Sequence, residues 1–488
     1  MPDANNPNPP KPAPAKPAKR SFQAPKGTRD LYPDDANLRR FITEAWRNAS
    51  IRHGFEEIDG PTFEDAELYK VKSGDGILAE MFGVFSGKSP EDVEAVRDPS
   101  RGPPYVLRPE FTPTLARMYA ARAAQLSKPT KWFTAGPFFR AERPQRGRLR
   151  EFLQWNVDFI GLPGLGEGKP TDDQLAESKA RADAECIACC VDLLRSLGFT
   201  PKNVRVKFYS RMSWVAWMQD EGVPPELVQP TFMLLDSRTK MSEDVLRQRC
   251  AEIGLPPRIA SQVILGSSMG VSWDLTKGHP PLLGLFRPMQ PLLDALIDLG
   301  VAEWCEIDSS IVRGLAYYTG MVFEVIADGE RAVAGGGRYD NLIELFGGPP
   351  TPAVGFGMGD VVLTNLLRDK GLLPERKALL DKLSQTPAPL RPDAFVLTAD
   401  ESLDPLVRGL VADLRRGVES SHSLHARHSY KSTRNVGKLL KEAAAQHARF
   451  AVIIENATTA TIKPLDAGEQ FQCPLSEVPA RLSSLLHP

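Results

Sequence analysis

Phe138-Phe-Arg-Ala-Glu-Arg-Pro-Gln-Arg-Gly-Arg-Leu-Arg-Glu-Phe152 runs directly into Leu153-Gln-Trp-Asn-Val-Asp-Phe159, and the fold can be read outward from this stretch. Arg140, Arg143, Arg146, Arg148 and Arg150 fall within eleven positions, and Pro144 and Gly147 mark their middle as a loop. Arginine carries a planar, permanently charged fork that matches phosphate oxygens, so this density suits a polyphosphate or the end of a nucleic acid; a solvated charged hairpin tip would look similar. As a strand, the following segment alternates faces. Leu153, Trp155, Val157 and Phe159 then pack, while Gln154, Asn156 and Asp158 present amides and a carboxylate on the other side, next in sequence to the arginines. A half-exposed antiparallel strand has the same pattern.

The flanking regions supply the rest of an α+β chain. Apolar residues Leu38, Phe41, Ile42, Ala45 and Trp46 recur at helical spacing between Asp34 and Gly54, with Asp34 or Asp35 near the cap. Met321 to Ala327 and Ala332 to Gly335 flank Asp328-Gly329, a strong hairpin turn. The stretch from about 211 to 305 is helix-patterned and reads as an insertion into this main domain, which spans 25–373. Prolines 374, 387, 389 and 392 mark a linker over 374–391. Beyond it, strand and helix patterns alternate (Ala394–Thr398, Pro405–Arg416, Asn435–His447, Phe450–Glu455, Thr459–Pro464), so 392–488 reads as a small α/β domain. Residues 1–24, rich in Pro, Ala, Asn and Lys without periodic hydrophobics, read as a disordered tail.

Composition sets wide bounds. The 488 residues are 25% charged and 42% hydrophobic with a formal net charge of -1, an ordinary globular balance that neither demands nor excludes nucleic acid. No apolar run reaches the length of a membrane span, and no apolar leader core suggests secretion, so the expected location is cytoplasmic. Cysteines 186, 189, 190, 250, 305 and 473 are too irregularly spaced for a disulfide framework. Cys186-Ile-Ala-Cys-Cys190 lies in an apolar helical stretch without a second ligand pair and reads as buried thiols. His422, His425 and His428 read as exposed residues without a metal role, and no metal site is expected from protein side chains alone.

Several segments, in order, resemble the histidyl-tRNA synthetases of class IIa. Phe139-Arg140-Ala-Glu142-Arg143, then Arg148, then Gln154 and Asp158, resembles class II motif 2. Leu107-Arg-Pro-Glu-Phe-Thr-Pro113 resembles the family's Arg-Pro-Glu-x-Thr element. Arg313-Gly-Leu-Ala-Tyr-Tyr-Thr-Gly320 resembles its signature, and Gly335-Gly-Gly-Arg-Tyr-Asp340 its glycine strand. His53-Gly-Phe-Glu-Glu-Ile-Asp-Gly-Pro61 resembles motif 1, the element that builds the class II dimer. The likeness covers nearly everything from Pro25 onward.

The resemblance implies a fold and a chemistry. The fold would be an antiparallel-sheet class II catalytic domain with a helical insertion, followed by an α/β anticodon-binding domain, in a homodimer. The activity would be ATP-dependent formation of histidyl-adenylate and transfer of L-histidine to histidine tRNA, with Mg2+ bridging the outer phosphates. Glu110, Thr112, Gln154 and Asp158 would hold the amine, and Tyr317 and Tyr318 would line the imidazole pocket. Arg140 and Arg313 would flank the α-phosphate as the catalytic cations. Glu142 would meet adenine, and Arg148 would complete the ATP site. Arg143 and Gln145 would read the 5′ end of the tRNA; Arg427, Lys431, Arg434, Lys438 and Lys441 would meet its phosphates.

Two positions depart from the family. Ala316 stands where many members carry Asp. Thr351-Pro-Ala-Val-Gly-Phe-Gly-Met-Gly359 fits the start of motif 3, but Val362 stands where its arginine is expected. Arg368 lies about 240° further round a helix and is no simple replacement; Arg338 and Arg148 are the alternatives. The gap keeps a rival in view, a catalytically inactive relative serving as a regulatory subunit of ATP phosphoribosyltransferase.

Overall fold

The computed structural model describes residues 22–73, 81–86, 94, 102–165, 168–237, 241–265, 272–274, 289–311, 317–327, 332–383, 391–417 and 422–486. Arg313 with Gly314, Leu315 and Ala316, the Asp328-Gly329 turn, most of the N-terminal tail and much of the proline-marked linker lie outside the described residues.

The strands are β1 (Glu56–Glu57), β2 (Phe63–Asp65), β3 (Gly83–Val84), β4 (Tyr105–Leu107), β5 (Thr130–Phe139), β6 (Glu151–Ile160), β7 (Arg205–Ser210), β8 (Ser272–Asp274), β9 (Cys305–Asp308), β10 (Met321–Ile326), β11 (Ala334–Arg338) and β12 (Ala353–Gly359). Nine of them form one sheet in the order β1-β5-β6-β12-β11-β10-β7-β9-β8, antiparallel except at β1/β5 and β7/β9. β5 and β6 pair over their full lengths, from Thr130 opposite Ile160 to Phe139 opposite Glu151, so the arginine-rich segment is the tip of a long hairpin. The short strands β2, β4 and β3 form a separate small sheet.

One face of the nine-stranded sheet is covered by the helices Pro33–Arg52 and Asp172–Ser196. Trp155, Val157 and Phe159 are fully buried there, and Trp155 stacks on Trp46 at 6.3 Å while donating to Ser50 Oγ at 2.8 Å. Burying each such side chain is worth about 1.5–3 kcal/mol, so this face fixes the register of β6. Thr171 and Gln174 form a reciprocal capping box that starts the second helix. Cys186, Cys189 and Cys190 lie fully buried within it, and all six cysteines are free. The first helix begins at Pro33, so Asp34 and Asp35 sit in its first turn, where they complement the helix dipole; they are not the cap.

The expected helical insertion does contain the helices Arg211–Asp220, Pro225–Ser237, Glu243–Glu252, Pro257–Leu265 and Gln290–Asp298. It also holds β8, and β9 begins at its end; the two strands extend the main sheet at its far edge. These strands are too short for a hydrophobic period to register in sequence.

The C-terminal domain carries a second sheet of β13 (Ala394–Thr398), β14 (Ala426–His428), β15 (Phe450–Ile454), β16 (Thr459–Pro464) and β17 (Phe471–Pro474), ordered β14-β13-β15-β16-β17. Ala394 and Val396 face the helices Asp404–Arg416 and Val478–Leu486, while Phe395 and Leu397 face the helix Val436–Ala445. Cover on both sides explains the unbroken apolar runs of β13 and β15. The domain is fixed to the main one by charge. Arg408 donates to Asp298, and Lys131 donates to Tyr430 Oη at 2.7 Å and to Glu185 at 2.8 Å. Arg415 donates to the same Glu185 oxygen at 2.8 Å.

Candidate active site

The opposite face of the sheet is packed in part by Leu115, Tyr119 and Ile343 and has at its centre a floor without side chains. Gly355 pairs with Gly337 and Gly357 with Gly335, so four glycines lie side by side on β12 and β11. Asp158 on β6 is opposite Gly355, and Asn156 is opposite Gly357. Glu324 on β10 is opposite Gly335, which puts Asn156 and Glu324 at the two ends of one row across the floor. The glycines are required by contact. A Cβ on Gly355 would stand 2.0 Å from Asp158 Oδ1, and one on Gly337 would stand 2.9 Å from the Tyr318 ring. Gly336 faces the core, where a Cβ would meet the Gly355 carbonyl at 2.3 Å.

Above this floor is a cavity of about 330 Å³, a size usual for small-molecule sites. Its lining includes Glu110, Thr112, Arg140, Arg148, Gln154, Asp158, Tyr317 and Tyr318. Eight side chains singled out in the sequence, from three separate segments, thus surround one space. Thr112 opens the helix Thr112–Arg122, with Glu110 two residues before it. Arg140 leaves the end of β5, donates from Nε to the Pro109 carbonyl at 3.2 Å and lies 5.2 Å over the Phe152 ring. The Tyr317 and Tyr318 rings pack at a tilt of 42° with centroids 4.7 Å apart.

Asp158 is 4% exposed and accepts a hydrogen bond from the Tyr339 hydroxyl. Burial, followed by the Asp158 charge, holds the Tyr339 phenol well above its ordinary range, so it remains a donor that steadies the carboxylate. Asn156, also buried, has its Nδ2 without a hydrogen-bond partner among the described residues. Neither Tyr339 nor Glu324 was singled out from sequence as a site residue. The alternation of β10, continued from its pairing with the glycine strand, is the signal that points to Glu324; Tyr339 has no comparable one.

Glu142 does not line the cavity; its carboxylate accepts from Arg148 Nη1 at the hairpin tip. Arg143 and Gln145 are exposed on that tip. Arg338, an alternative for the missing motif 3 cation, is 2% exposed and committed to Asp183 at 2.6 Å, Asp340 at 3.1 Å and the Lys179 carbonyl. It holds the glycine strand to the helix beneath and is not presented to the cavity. Val362 is itself part of the cavity wall.

In the C-terminal domain Lys431 and Lys438 are exposed, whereas Arg434 is paired with Asp404 at 2.6 Å. Arg427 turns toward the main domain, packing on Gly54 and lying 3.9 Å from Glu56. The three histidines are not alike. His422 is exposed, His425 is fully buried and accepts from Arg427 Nε, and His428 is half-buried against Tyr430. Among the described residues no group of three or more His, Cys, Asp or Glu side chains is placed to hold a metal ion. Nor is any described helix long and apolar enough to cross a membrane.

Comparison with known proteins gives a consistent family. The sequence profile described as histidyl-tRNA synthetase matches residues 27–169 and 173–360. A histidine–tRNA ligase of Haloarcula marismortui is 35% identical over 94% of this chain and 97% of the relative. One from Opitutus terrae is 35% identical over 72% of this chain and 76% of the relative. The chloroplastic/mitochondrial histidine–tRNA ligase of Arabidopsis thaliana is 31% identical over 93% of this chain and 85% of the relative. Among solved structures, histidyl-tRNA synthetase from Nostoc sp. PCC 7120 superposes with a TM-score of 0.56 at 22% identity, covering 96% of this chain and all of that one. An ATP phosphoribosyltransferase regulatory subunit/histidyl-tRNA synthetase from Bacillus halodurans C gives 0.53 at 19% identity over 89% of this chain and 98% of that one.

Proposed function

The chain belongs to the histidyl-tRNA synthetase family, and we propose that the glycine-floored cavity activates L-histidine with ATP and passes it to histidine tRNA. The observation that supports this most is the meeting of Arg140 with Asp158, Gln154, Glu110 and the Tyr317–Tyr318 pair around one space. A cation for a phosphate and carboxylates for an amine line the same cavity.

In the first step an oxygen of the histidine carboxylate attacks the α-phosphorus of ATP. The bond from that phosphorus to the bridging oxygen breaks, and pyrophosphate leaves with the electron pair. Two anions must approach, so a fixed cation aimed at the α-phosphoryl oxygens lowers the barrier, and positioning supplies much of the rest. Arg140 is braced for that role by the Pro109 carbonyl and the Phe152 ring. By the family resemblance Arg313 is its counterpart. Glu110, Thr112, Gln154 and Asp158 take the ammonium, with Tyr339 holding Asp158 in place. Tyr317 and Tyr318 enclose the imidazole. Magnesium would neutralise the outer phosphates of ATP. In the second step the terminal ribose 3′-hydroxyl of the tRNA attacks the adenylate carbonyl; the bond from that carbon to the phosphate oxygen breaks, AMP leaves with the electron pair, and the hydroxyl proton is released as the ester forms. Arg143 and Gln145 on the exposed tip, and Lys431 and Lys438 on the C-terminal domain, are the tRNA contacts, in a homodimer.

A second reading draws on Val362 in the cavity wall and on the internal commitment of Arg338: a histidine-binding regulatory subunit that transfers nothing. Incubation with ATP, magnesium and histidine tRNA decides between them. Esterified histidine supports the enzyme; histidine binding without adenylate or ester supports the regulator.

A further inference from the structure

A second cavity, of about 310 Å³, opens between the two domains on the helix-covered side of the sheet. Arg52 and Arg195 reach it from the main domain, and Arg415 and Arg416 from the C-terminal domain, with Asp192 the one carboxylate in its wall. Three of these guanidiniums are held by neighbours. Arg195 pairs with Asp192 and lies 5.5 Å over the Trp304 ring. Arg415 donates to Glu185 at 2.8 Å and to His53 Nδ1 at 3.1 Å. Arg416 donates to the Leu299 carbonyl at 2.8 Å and to Asp413 at 2.7 Å.

Asp192 is fully engaged. Because Arg415 donates to Nδ1 of His53, the ring proton resides on Nε2, which donates to Asp192 Oδ2 at 3.1 Å. The other oxygen accepts from Arg195. Two of the four keep a buried nitrogen without a hydrogen bond among the described residues, Arg415 at Nη2 and Arg52 at Nε. Arg415 has its ion pair with Glu185, whereas Arg52 makes none among the described residues. Burial lowers the pKa of the Arg52 guanidinium, against the opposing pull of the Asp192 and Asp393 charges. Such a charge costs free energy that an entering anion would recover.

We propose that this cavity is an anion site for inorganic phosphate, with Arg52 as the leading contact and the other arginines as a preformed rim. A guanidinium fork matches a tetrahedral oxyanion. The recess favours a small free anion over a nucleic-acid backbone, since the Arg415 side chain is only 1% exposed. An ion held by Arg52 on one side and Arg415 and Arg416 on the other would clamp the C-terminal domain to the main one. The site is separate from the glycine-floored cavity and does not depend on the activity proposed for it.

The test is thermal unfolding of the full chain against phosphate concentration, with ionic strength held constant by chloride, for wild type, R52Q and R140Q. The expected result is a saturable rise in Tm for wild type and R140Q that is absent in R52Q, with histidine-dependent exchange unchanged in R52Q. No saturable rise in wild type, a rise retained by R52Q, or one lost in R140Q would each overturn the proposal. Should R52Q fail to fold, wild-type crystals soaked in selenate decide. An anomalous peak within hydrogen-bonding distance of Arg52 supports the site, and its absence refutes it.

Discussion

Replacing Gly355 by alanine adds one carbon to the floor of the cavity, and the structure says where the damage goes. The new Cβ would lie 2.0 Å from Asp158 Oδ1, 2.7 Å from its Cγ and 2.7 Å from the Val157 carbonyl. Strand pairing to β6 and β11 leaves β12 little room to retreat, so the Asp158 side chain must swing away from the Tyr339 hydroxyl. Overpacking of this kind costs about 1–3 kcal/mol of stability. A charged hydrogen bond to the substrate ammonium is worth about 1.5–3 kcal/mol, which corresponds to a loss of roughly 10- to 150-fold in kcat/KM for histidine. The assay is ATP–pyrophosphate exchange at varied histidine, run beside Asp158→Asn, which keeps the shape and removes the charge. Both variants are expected to lose histidine affinity, and Gly355→Ala alone to lose stability. A soluble Gly355→Ala protein with wild-type kcat/KM for histidine would refute the assignment of Asp158 to the amine.

Three further outcomes follow from the same geometry. Arg140→Ala is expected to lower the exchange kcat by about 10²- to 10³-fold with the fold intact, and Arg140→Lys to recover part of the loss; an unchanged kcat would remove Arg140 from the reaction. Burial brings the His428 imidazole down to about 4, so the unfolded chain binds a proton that the folded chain refuses between that value and the ordinary one near 6.5. Stability is therefore full above about pH 6.5 and falls as pH drops toward 4, and Tm measured against pH should decline less steeply in this window for His428→Phe. Burial also raises the thiol pKa values of Cys186, Cys189 and Cys190, so thiol reagents should label none of the three in the native protein at neutral pH and all three after denaturation.

Features set by local pattern were legible in the sequence. The alternation of Leu153 to Phe159 gave β6 its two faces, and the apolar runs Ala394–Thr398 and Phe450–Ile454 are the two doubly covered strands. What escaped depends on residues distant in sequence. Tyr339 and Asp158 are 181 positions apart, and Arg415 and His53 are 362 apart. No periodicity carries such pairings. Arg427 and Arg434, expected to meet tRNA phosphates, also have Glu56 and Asp404 beside them, neighbours that no local pattern in the sequence reveals. Arg338 looked available for a phosphate until Asp183, on the helix beneath, was found to hold it.

Isotope exchange between pyrophosphate and ATP, with each of the common amino acids offered singly to the purified chain, reports directly on whether the glycine-floored cavity activates histidine. Label is expected to enter ATP with histidine and with no other amino acid. Exchange that is absent with histidine, or that proceeds equally with another amino acid, would contradict the account.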